Sequence, residues 1–260
     1  MRSFIAVVLL SALPAFPAAE ATTTEDQELP IVGKYVGATE RQQEALRGAQ
    51  MEVDIDAKLI KLQKQGRLRA MRMISQLGQI TYRALGFSGD NTVKQEVITR
   101  FLAAESEGRE NGTISITPSN YKFKYKGKME WYGRSLVILQ IQPRRNAVGL
   151  FKGELWVDSE TGMPMREAGQ FVKTPSIFLK KVVFVREYDL KDGMSIPRHL
   201  ASTVDTRIAG RAEMQIEYSH FLMAGQESTD PATGLATRSS ATAPTQEVDL
   251  RDTDSVGASQ

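Results

Sequence analysis

The first clear pattern along the chain is a strict alternation of apolar and polar residues that starts at Met51. Every second residue up to Leu59 is apolar, and the residues between them are charged or polar. A period of two over this length is typical of a β-strand with one buried face. The segment therefore predicts a half-buried strand whose apolar side chains, Val53 and Ile55 among them, face the core.

Further strand patterns follow, separated by short turns. They cover residues 67–74, 79–87, 120–126, 134–142, 149–158, 163–173, 177–190, 195–205 and 211–221. Short turns between successive strands favour antiparallel pairing, and the length of several strands favours a curved sheet over a small sandwich. The prediction is a mainly β fold, in which a single curved antiparallel sheet of about ten strands forms an open, unclosed β-barrel.

Helical patterns are few. Residues 92–107 carry apolar residues at helical spacing, and Asp90 or Asn91 can cap the start of this helix, because its side-chain oxygen accepts a hydrogen bond from a free backbone N–H. A second, short helix is predicted at Arg41–Arg47, before a glycine that ends it. One or two helices are therefore expected to cover the sheet.

The two ends of the chain differ in composition from the middle. Residues 1–21 combine a basic residue, a short apolar run and an A-x-A pattern, which are typical of a signal peptide cleaved near Ala21. Residues 22–38 are predicted to be a loosely structured linker. Residues 225–260 are rich in Ser, Thr, Ala and Asp without a periodic apolar face, and are predicted to be disordered. The sequence thus predicts a periplasmic protein with one domain over residues 39–224.

Charge is distributed unevenly along the chain. The predicted tail carries six acidic and two basic residues, whereas residues 39–224 carry 29 basic and 21 acidic residues, a net charge of +8. A basic body suits an anionic membrane surface or lipid headgroups, while the export signal disfavours nucleic acid as a partner. The chain has no cysteine, which excludes a disulfide, a thiolate metal site and lipid attachment through sulfur. No apolar run after residue 21 is long enough for a transmembrane helix.

Paired carboxylates are the only catalytic candidates. Glu154 and Asp158 fall on one face of a predicted strand but about 13 Å apart, beyond the separation of about 5–9.5 Å that glycosidases use. Asp54 and Asp56 are about 6.6 Å apart on a strand face that is otherwise polar. A solvated face is the simpler interpretation of that pair, and a hydrolase that uses both aspartates is the alternative.

Other chemistry-bearing patterns are absent from the sequence. The two histidines, His199 and His220, lie outside any metal-spaced cluster, and there is no nucleophile elbow or phosphate-binding glycine loop. The sequence therefore predicts no catalytic residue, no metal and no cofactor, and a protein that is not an enzyme.

The apolar face of the sheet is instead the predicted binding surface. Methionine side chains can repack around different ligands, and a hydrophobic hollow left open by a small covering helix would suit lipid acyl chains. The alternative is a sheet that is filled by its own side chains. The candidate ligand-binding residues on the inner face are Met51, Val53, Ile55, Met71, Met73, Phe101, Leu155 and Met214.

Four segments resemble a known family of exported bacterial proteins. They are FSGDNTVKQEVITRFLAAESE (Phe87–Glu107), NYKFKY, QPRRNAVGLFKGELWVD and KKVVFVREYDLKDGMSIPRH. Together with the order of elements, they are similar to an uncharacterised branch of the LolA/LolB-like outer-membrane lipoprotein-sorting proteins, which include periplasmic sigma-factor regulators of the RseB/MucB type. The resemblance covers residues 41–221 and depends on pattern and order.

This resemblance implies an unclosed β-barrel with helices as a lid and acyl chains in its hollow. The chain departs from the family in two ways: the basic residue expected to hold the lid has no evident counterpart, and the cysteine of the acylated receptor is missing. The expected function is that of a periplasmic carrier or chaperone for lipid or acylated protein. The alternative is an interaction or sensor module that binds an envelope protein.

Overall fold

The fold is built on one antiparallel sheet of ten strands. The structure is a computed structural model and describes residues 24–110, 114–174, 179–207 and 210–225. The strands are β1 (Gln50–Leu59), β2 (Lys64–Ile74), β3 (Ile80–Gly89), β4 (Tyr121–Trp131), β5 (Arg134–Pro143), β6 (Phe151–Asp158), β7 (Pro164–Phe171), β8 (Leu179–Lys191), β9 (Met194–Thr206) and β10 (Arg211–Leu222). The signal peptide predicted over residues 1–21 lies outside the described residues, as do residues 226–260 of the tail predicted over 225–260.

The strand order is β3-β2-β1-β10-β9-β8-β7-β6-β5-β4. Each strand pairs with its neighbour in sequence from β4 to β10, and β10 then returns to pair with β1. This return places the first and last strands side by side inside the sheet. Strands β3 and β4 are left at the two edges and do not pair with each other in the described part of the chain, so the barrel is open, as predicted.

The helical segment predicted after β3 is present and covers one half of the sheet. It consists of α2 (Asn91–Val93), a π-helical stretch (Lys94–Thr99) and α3 (Arg100–Glu110). Asp90 caps it, since its Oδ1 accepts a hydrogen bond from the backbone N–H of Thr92 at 2.7 Å. We call residues 91–110 the lid segment, because the sheet lies beneath them.

A longer helix than predicted covers the other half. Helix α1 (Thr24–Ala45) occupies most of the expected linker, and its last turn holds most of the short helix predicted at 41–47. Pro30 and two glycines lower the helix propensity of this segment, which explains why the sequence favours a linker. Ile31, Val32 and Tyr35 are nevertheless buried against the sheet, so tertiary packing stabilises a helix that propensity disfavours. This corrects the prediction of a loosely structured linker.

The core lies on a single face of the sheet, in two main apolar clusters. One cluster joins α1 to β4–β8, and the other joins the lid segment to β1, β2, β9 and β10. The apolar side chains of β1, from Met51 to Leu59, are all buried on this face as predicted. Each helix therefore covers its own half of one concave surface.

Candidate functional site

The predicted inner-face residues divide between the two clusters. Val53, Ile55 and Met214 are buried beneath the lid segment, and the half-buried side chain of Phe101 packs on them from above. Leu155 is fully buried in the other cluster, below α1. Four of these candidates therefore lie on the concave face of the sheet and Phe101 lies in the helix above it, and the five do not form one site.

Met51 lies at the margin of that face. It is 1% exposed and lines a cavity of about 30 Å³ together with Ile196, Tyr218 and Phe221. A cavity of this volume holds about one water molecule. Met51 is therefore an inner-face residue, but this cavity is too small for an acyl chain.

Two of the eight candidates, Met71 and Met73, lie on the opposite face of the sheet. They alternate along β2 with the buried Ala70 and Arg72, and Met71 pairs directly with Glu52 on the outer face of β1. Both methionines are only partly buried. The prediction that they line the inner face is wrong, because in this stretch of β2 the arginine, and not the methionines, points inward.

Charged and tyrosine side chains divide the concave face between the two helices. One row of directly paired residues crosses all ten strands on this face, in the order Tyr125, Leu139, Leu155, Glu167, Arg186, Leu200, Ile216, Ile55, Leu68, Phe87. Eight of the ten are apolar or aromatic, and the two charged residues are neighbours at the middle of the row. They lie where the cluster under α1 meets the cluster under the lid segment.

The first of two polar networks along this division centres on Glu167. Arg186 donates a hydrogen bond to one of its carboxylate oxygens at 3.1 Å, and the Tyr188 hydroxyl donates to the other at 2.9 Å. Burial opposes the charge on Arg186, but Tyr188 and Glu167 outweigh it and raise the arginine pKa. Burial, with the nearby Glu167, raises the pKa of Tyr188, so the tyrosine stays a neutral donor.

The second network has the same three residue types and ties the lid segment to the sheet. Arg72, only 2% exposed, donates to Oε1 of Glu105 at 3.1 Å and to the hydroxyl oxygen of Tyr82 at 3.2 Å. Tyr82 in turn donates to Oε2 of Glu105 at 2.5 Å. Burial, with Glu105 close by, raises the pKa of Tyr82. An ion pair from β2 to α3 thus holds the lid segment down.

The two networks are electrostatically connected, and α1 contacts one of them. Glu105 also favours the charged form of Arg186, although the two belong to different networks. Burial raises the pKa of Tyr35 in α1, and Glu167 and Tyr188 add to this effect. We define the polar seam as Arg72, Tyr82, Glu105, Glu167, Arg186 and Tyr188. Both covering helices therefore contribute side chains to the seam or its border.

The polar seam is not predicted by the sequence patterns above, although β2 carries a signal. Arg72 interrupts the buried face that Leu68, Ala70 and Ile74 define by alternation. A charge at an inward position of an otherwise regular strand marks either a register change or a buried ion pair. Glu167 and Arg186 had no such signal, because the patterns of β7 and β8 are irregular.

The carboxylates considered for catalysis have structural partners. Asp54 makes a two-point ion pair with Arg67, and this hydrogen bonding lowers the aspartate pKa. Asp56 lies 3.9 Å from the same guanidinium. Asp158 is 2% exposed and accepts hydrogen bonds from the backbone N–H and hydroxyl of Thr161 in the β6–β7 turn. These contacts explain the aspartates as surface pairing and turn formation.

The described residues contain no group of three or more His, Cys, Asp or Glu side chains that could hold a metal ion. A cavity of about 350 Å³ opens at the hairpin ends of β4–β5 and β6–β7, lined by Tyr132, Arg134, Asp158 and Glu160 among others. None of its lining residues belongs to either helix. Within the described ranges, no helix combines the length and apolarity needed to cross a membrane.

Comparison with known proteins finds similarity in structure only. No protein-family model and no curated protein sequence matches the chain. A LolA superfamily protein from Nitrosomonas europaea is 11% identical, with a TM-score of 0.38, over 80% of this chain and 96% of that one. A DUF1329 family protein from Desulfovibrio piger is 11% identical, with a TM-score of 0.38, over 76% and 95%.

The MucA/MucB complex of Pseudomonas aeruginosa also matches, at 12% identity and a TM-score of 0.26, over 71% of this chain and 93% of that one. Solved structures of the LolA and MucB types, which the sequence resembles, are thus among those found. At these identities and TM-scores, the similarities carry no inference about function, which depends here on the residues of the chain itself.

Proposed function

We propose that the protein is an exported, non-catalytic binding protein of the periplasm that carries lipid or acylated protein beneath its lid segment. The observation that supports this most is the construction of the lid. Ile98 is fully buried on Val53 and Ile55, while Phe101 covers the same apolar surface only partly. Lifting this segment would expose an apolar surface that fits an acyl chain.

The polar seam gives the lid a reversible attachment. The Arg72–Glu105 pair joins the lid segment to β2 through charge-assisted hydrogen bonds, and Tyr82 completes it. Arg186 is 34% exposed and could meet the polar head of a ligand whose chain lies under the lid. A carrier needs such a device, because the apolar surface must be covered when no ligand is bound.

Binding of a fluorescent fatty acid tests the proposal. Glu105→Gln leaves the guanidinium of Arg72 buried without a full charge partner, which costs about 3–5 kcal/mol in other buried pairs. We expect faster probe binding and faster hydrogen exchange in residues 91–106 of this variant. A double Arg72→Met, Glu105→Leu variant keeps the contact apolar, so its lid should stay closed and its exchange should resemble that of the unaltered chain.

No probe binding by the unaltered chain or either variant would rule out the carrier. Exchange that accelerates throughout the sheet in Glu105→Gln would show that the pair holds the whole fold and not the lid. Native mass spectrometry of protein isolated from the cell envelope gives an independent check, since a carrier should co-purify with lipid.

A second candidate function is an interaction or sensor module that binds an envelope protein. It is favoured by the burial of side chains in the two apolar clusters beneath the helices, while the cavities of about 30 and 350 Å³ are lined by residues at strand ends and turns. In this case the seam would fix the shape of a filled domain. Two results together would support this function over the carrier. The chain would capture a partner only when residues 225–260 are present, and it would not bind the acyl probe.

A further inference from the structure

The outer face of the sheet carries an aromatic group at the end of its β4 edge. Trp131 contacts Tyr132 and Trp156, with ring centroids 5.4 Å apart in both cases. Arg166 lies over the Trp156 ring at 4.6 Å from its centroid. Trp156 follows the buried Leu155 in β6 and therefore points away from the core, toward solvent.

Tyr132 occupies a position where a large side chain is unexpected. It is the first residue of the two-residue β4–β5 turn, with φ of 50°, and Gly133 follows with φ of 74°. Such turns favour Asn-Gly, since both residues take positive φ. The tyrosine is also 88% exposed, so it gains little from burial. Folding alone does not explain an aromatic side chain here.

A row of lysines extends from this aromatic group along the edge strand. Lys122, Lys124 and Lys126 alternate with inward residues of β4, and all three are exposed. No carboxylate of the described residues forms an ion pair with them. Among the neighbouring acidic side chains, Glu154 accepts from the Trp156 indole N–H at 3.2 Å. The three lysines therefore present positive charge that no ion pair within the described residues satisfies.

We propose that this face docks on an anionic membrane surface. We define the docking face as Lys122, Lys124, Lys126, Trp131, Tyr132 and Trp156. Tryptophan and tyrosine favour the membrane–water interface, and lysines beside them are attracted to anionic headgroups. Tyr132 at the hairpin tip enters the headgroup layer, and the lysines of β4 lie along it. Docking here would leave the concave face and its helices unobstructed, and it does not depend on the proposed function.

Lysines on an edge strand can also serve only to prevent edge-to-edge pairing of sheets. That role explains the lysines of β4 but not the aromatic side chains or the exposed Tyr132. It also predicts no preference for anionic lipid beyond that of other exposed lysines. The two explanations can therefore be separated by comparing lysines at different places on the molecule.

Co-sedimentation with lipid vesicles provides the comparison. We expect the chain to bind vesicles of phosphatidylcholine mixed with phosphatidylglycerol, and not vesicles of phosphatidylcholine alone. Each basic residue near an anionic bilayer contributes about fivefold to partitioning. The partitioning of a Lys122→Glu, Lys124→Glu variant onto these vesicles should therefore be weaker by a factor of about 25 or more. The matched Lys58→Glu, Lys61→Glu variant makes the same charge change at exposed positions away from the face and should bind nearly normally.

The intrinsic fluorescence of the protein reports the orientation directly. The chain has two tryptophans, and both belong to the docking face. Phosphatidylglycerol brominated in its acyl chains should quench them on binding, and Tyr132→Ser should reduce that quenching.

Three results would overturn the proposal. They are equal loss of binding in the two lysine variants, vesicle binding without quenching, and no binding to anionic vesicles at low salt. Binding of poly-glutamate in place of vesicles would assign the face to an acidic protein and equally overturn the membrane assignment.

Discussion

At the scale of single residues, the direction of each side chain on β1 and β2 decides what the protein tolerates. Val53 and Ala70 are paired and face inward, while Glu52 and Met71 are paired and face outward. Alternation in the sequence predicted β1 correctly, because its polar positions are charged and its apolar positions are regular. It failed for Met71 because this part of β2 has its methionines on the outer face and a charged residue, Arg72, on the inner face.

The same substitution on the two faces should therefore have different effects. Val53→Asp places a carboxylate in the cluster beneath the lid segment, and we expect it to lower the free energy of unfolding by at least about 3 kcal/mol. Met71→Asp adds a charge at a partly exposed outer position and should change stability by less than about 1 kcal/mol. Urea unfolding followed by circular dichroism measures both. Equal losses would show that the faces are assigned incorrectly.

At the scale of elements, the close approach of β6 and β7 is a feature that local sequence patterns do not show. Gly153 and Gly169 are directly paired on the inner face. A Cβ built on Gly153 would lie 2.0 Å from the Ala168 carbonyl oxygen, and one on Gly169 would lie 2.5 Å from the Phe151 ring. The sequence pattern predicts a strand over residues 149–158 but does not show what lies against it. Only the register brings the two glycines together.

Gly153→Ala should therefore be strongly destabilising. The added methyl group meets backbone, which cannot move aside cheaply, and we expect a loss of about 3 kcal/mol. Gly86 provides the matched control, because it lies in strand β3 with no atom within 4 Å of an added Cβ. Gly86→Ala should change the thermal midpoint little. If both variants melt together, the close approach of β6 and β7 is not a constraint on the fold.

Helix α1 offers the opposite test, a glycine whose replacement should help. Gly33 is exposed within the helix and has no neighbour within 4 Å of an added Cβ. Alanine is more favourable than glycine in a helix interior by about 0.5–1 kcal/mol. Gly33→Ala should raise the unfolding free energy by about that amount. An unchanged or lower value would mean that the segment is not helical in solution, as the linker prediction holds.

At the scale of the whole molecule, the polar seam joins two halves that the sequence presents as one sheet. The number of strands and the antiparallel pairing of most successive strands follow from alternation and turn spacing, which are local signals. The pairing of β1 with β10 does not. The division of the concave surface between α1 and the lid segment depends on which residues meet across strands far apart in sequence, such as Ile55 of β1 with Ile216 of β10. Local patterns cannot provide that information, so the candidate site was found only in part.

The fully or partly buried tyrosines around this seam give the whole fold a dependence on alkaline pH. Burial raises the pKa of Tyr82 and Tyr188, and it raises the pKa of Tyr121 to about 12. A tyrosine in the unfolded chain loses its proton near pH 10, before the buried one does. The unfolded state then binds fewer protons than the folded state, so the free energy of unfolding falls as the pH rises above about 10. Below that pH, these tyrosines add no pH dependence.

Urea unfolding between pH 9 and 11 measures the effect. Lysines also lose protons in this range, but all variants contain the same lysines, so differences between variants come from the tyrosines. Each buried tyrosine should contribute a slope of up to about 1.4 kcal/mol per pH unit above its unfolded pKa. Tyr188→Phe should remove one such contribution and flatten the decline. Tyr132→Phe is the matched control, because it removes the same hydroxyl group at an exposed position outside the seam. Identical slopes in both variants would show that the Tyr188 hydroxyl is not held in the seam, and the Glu167 network would lose one of its two donors.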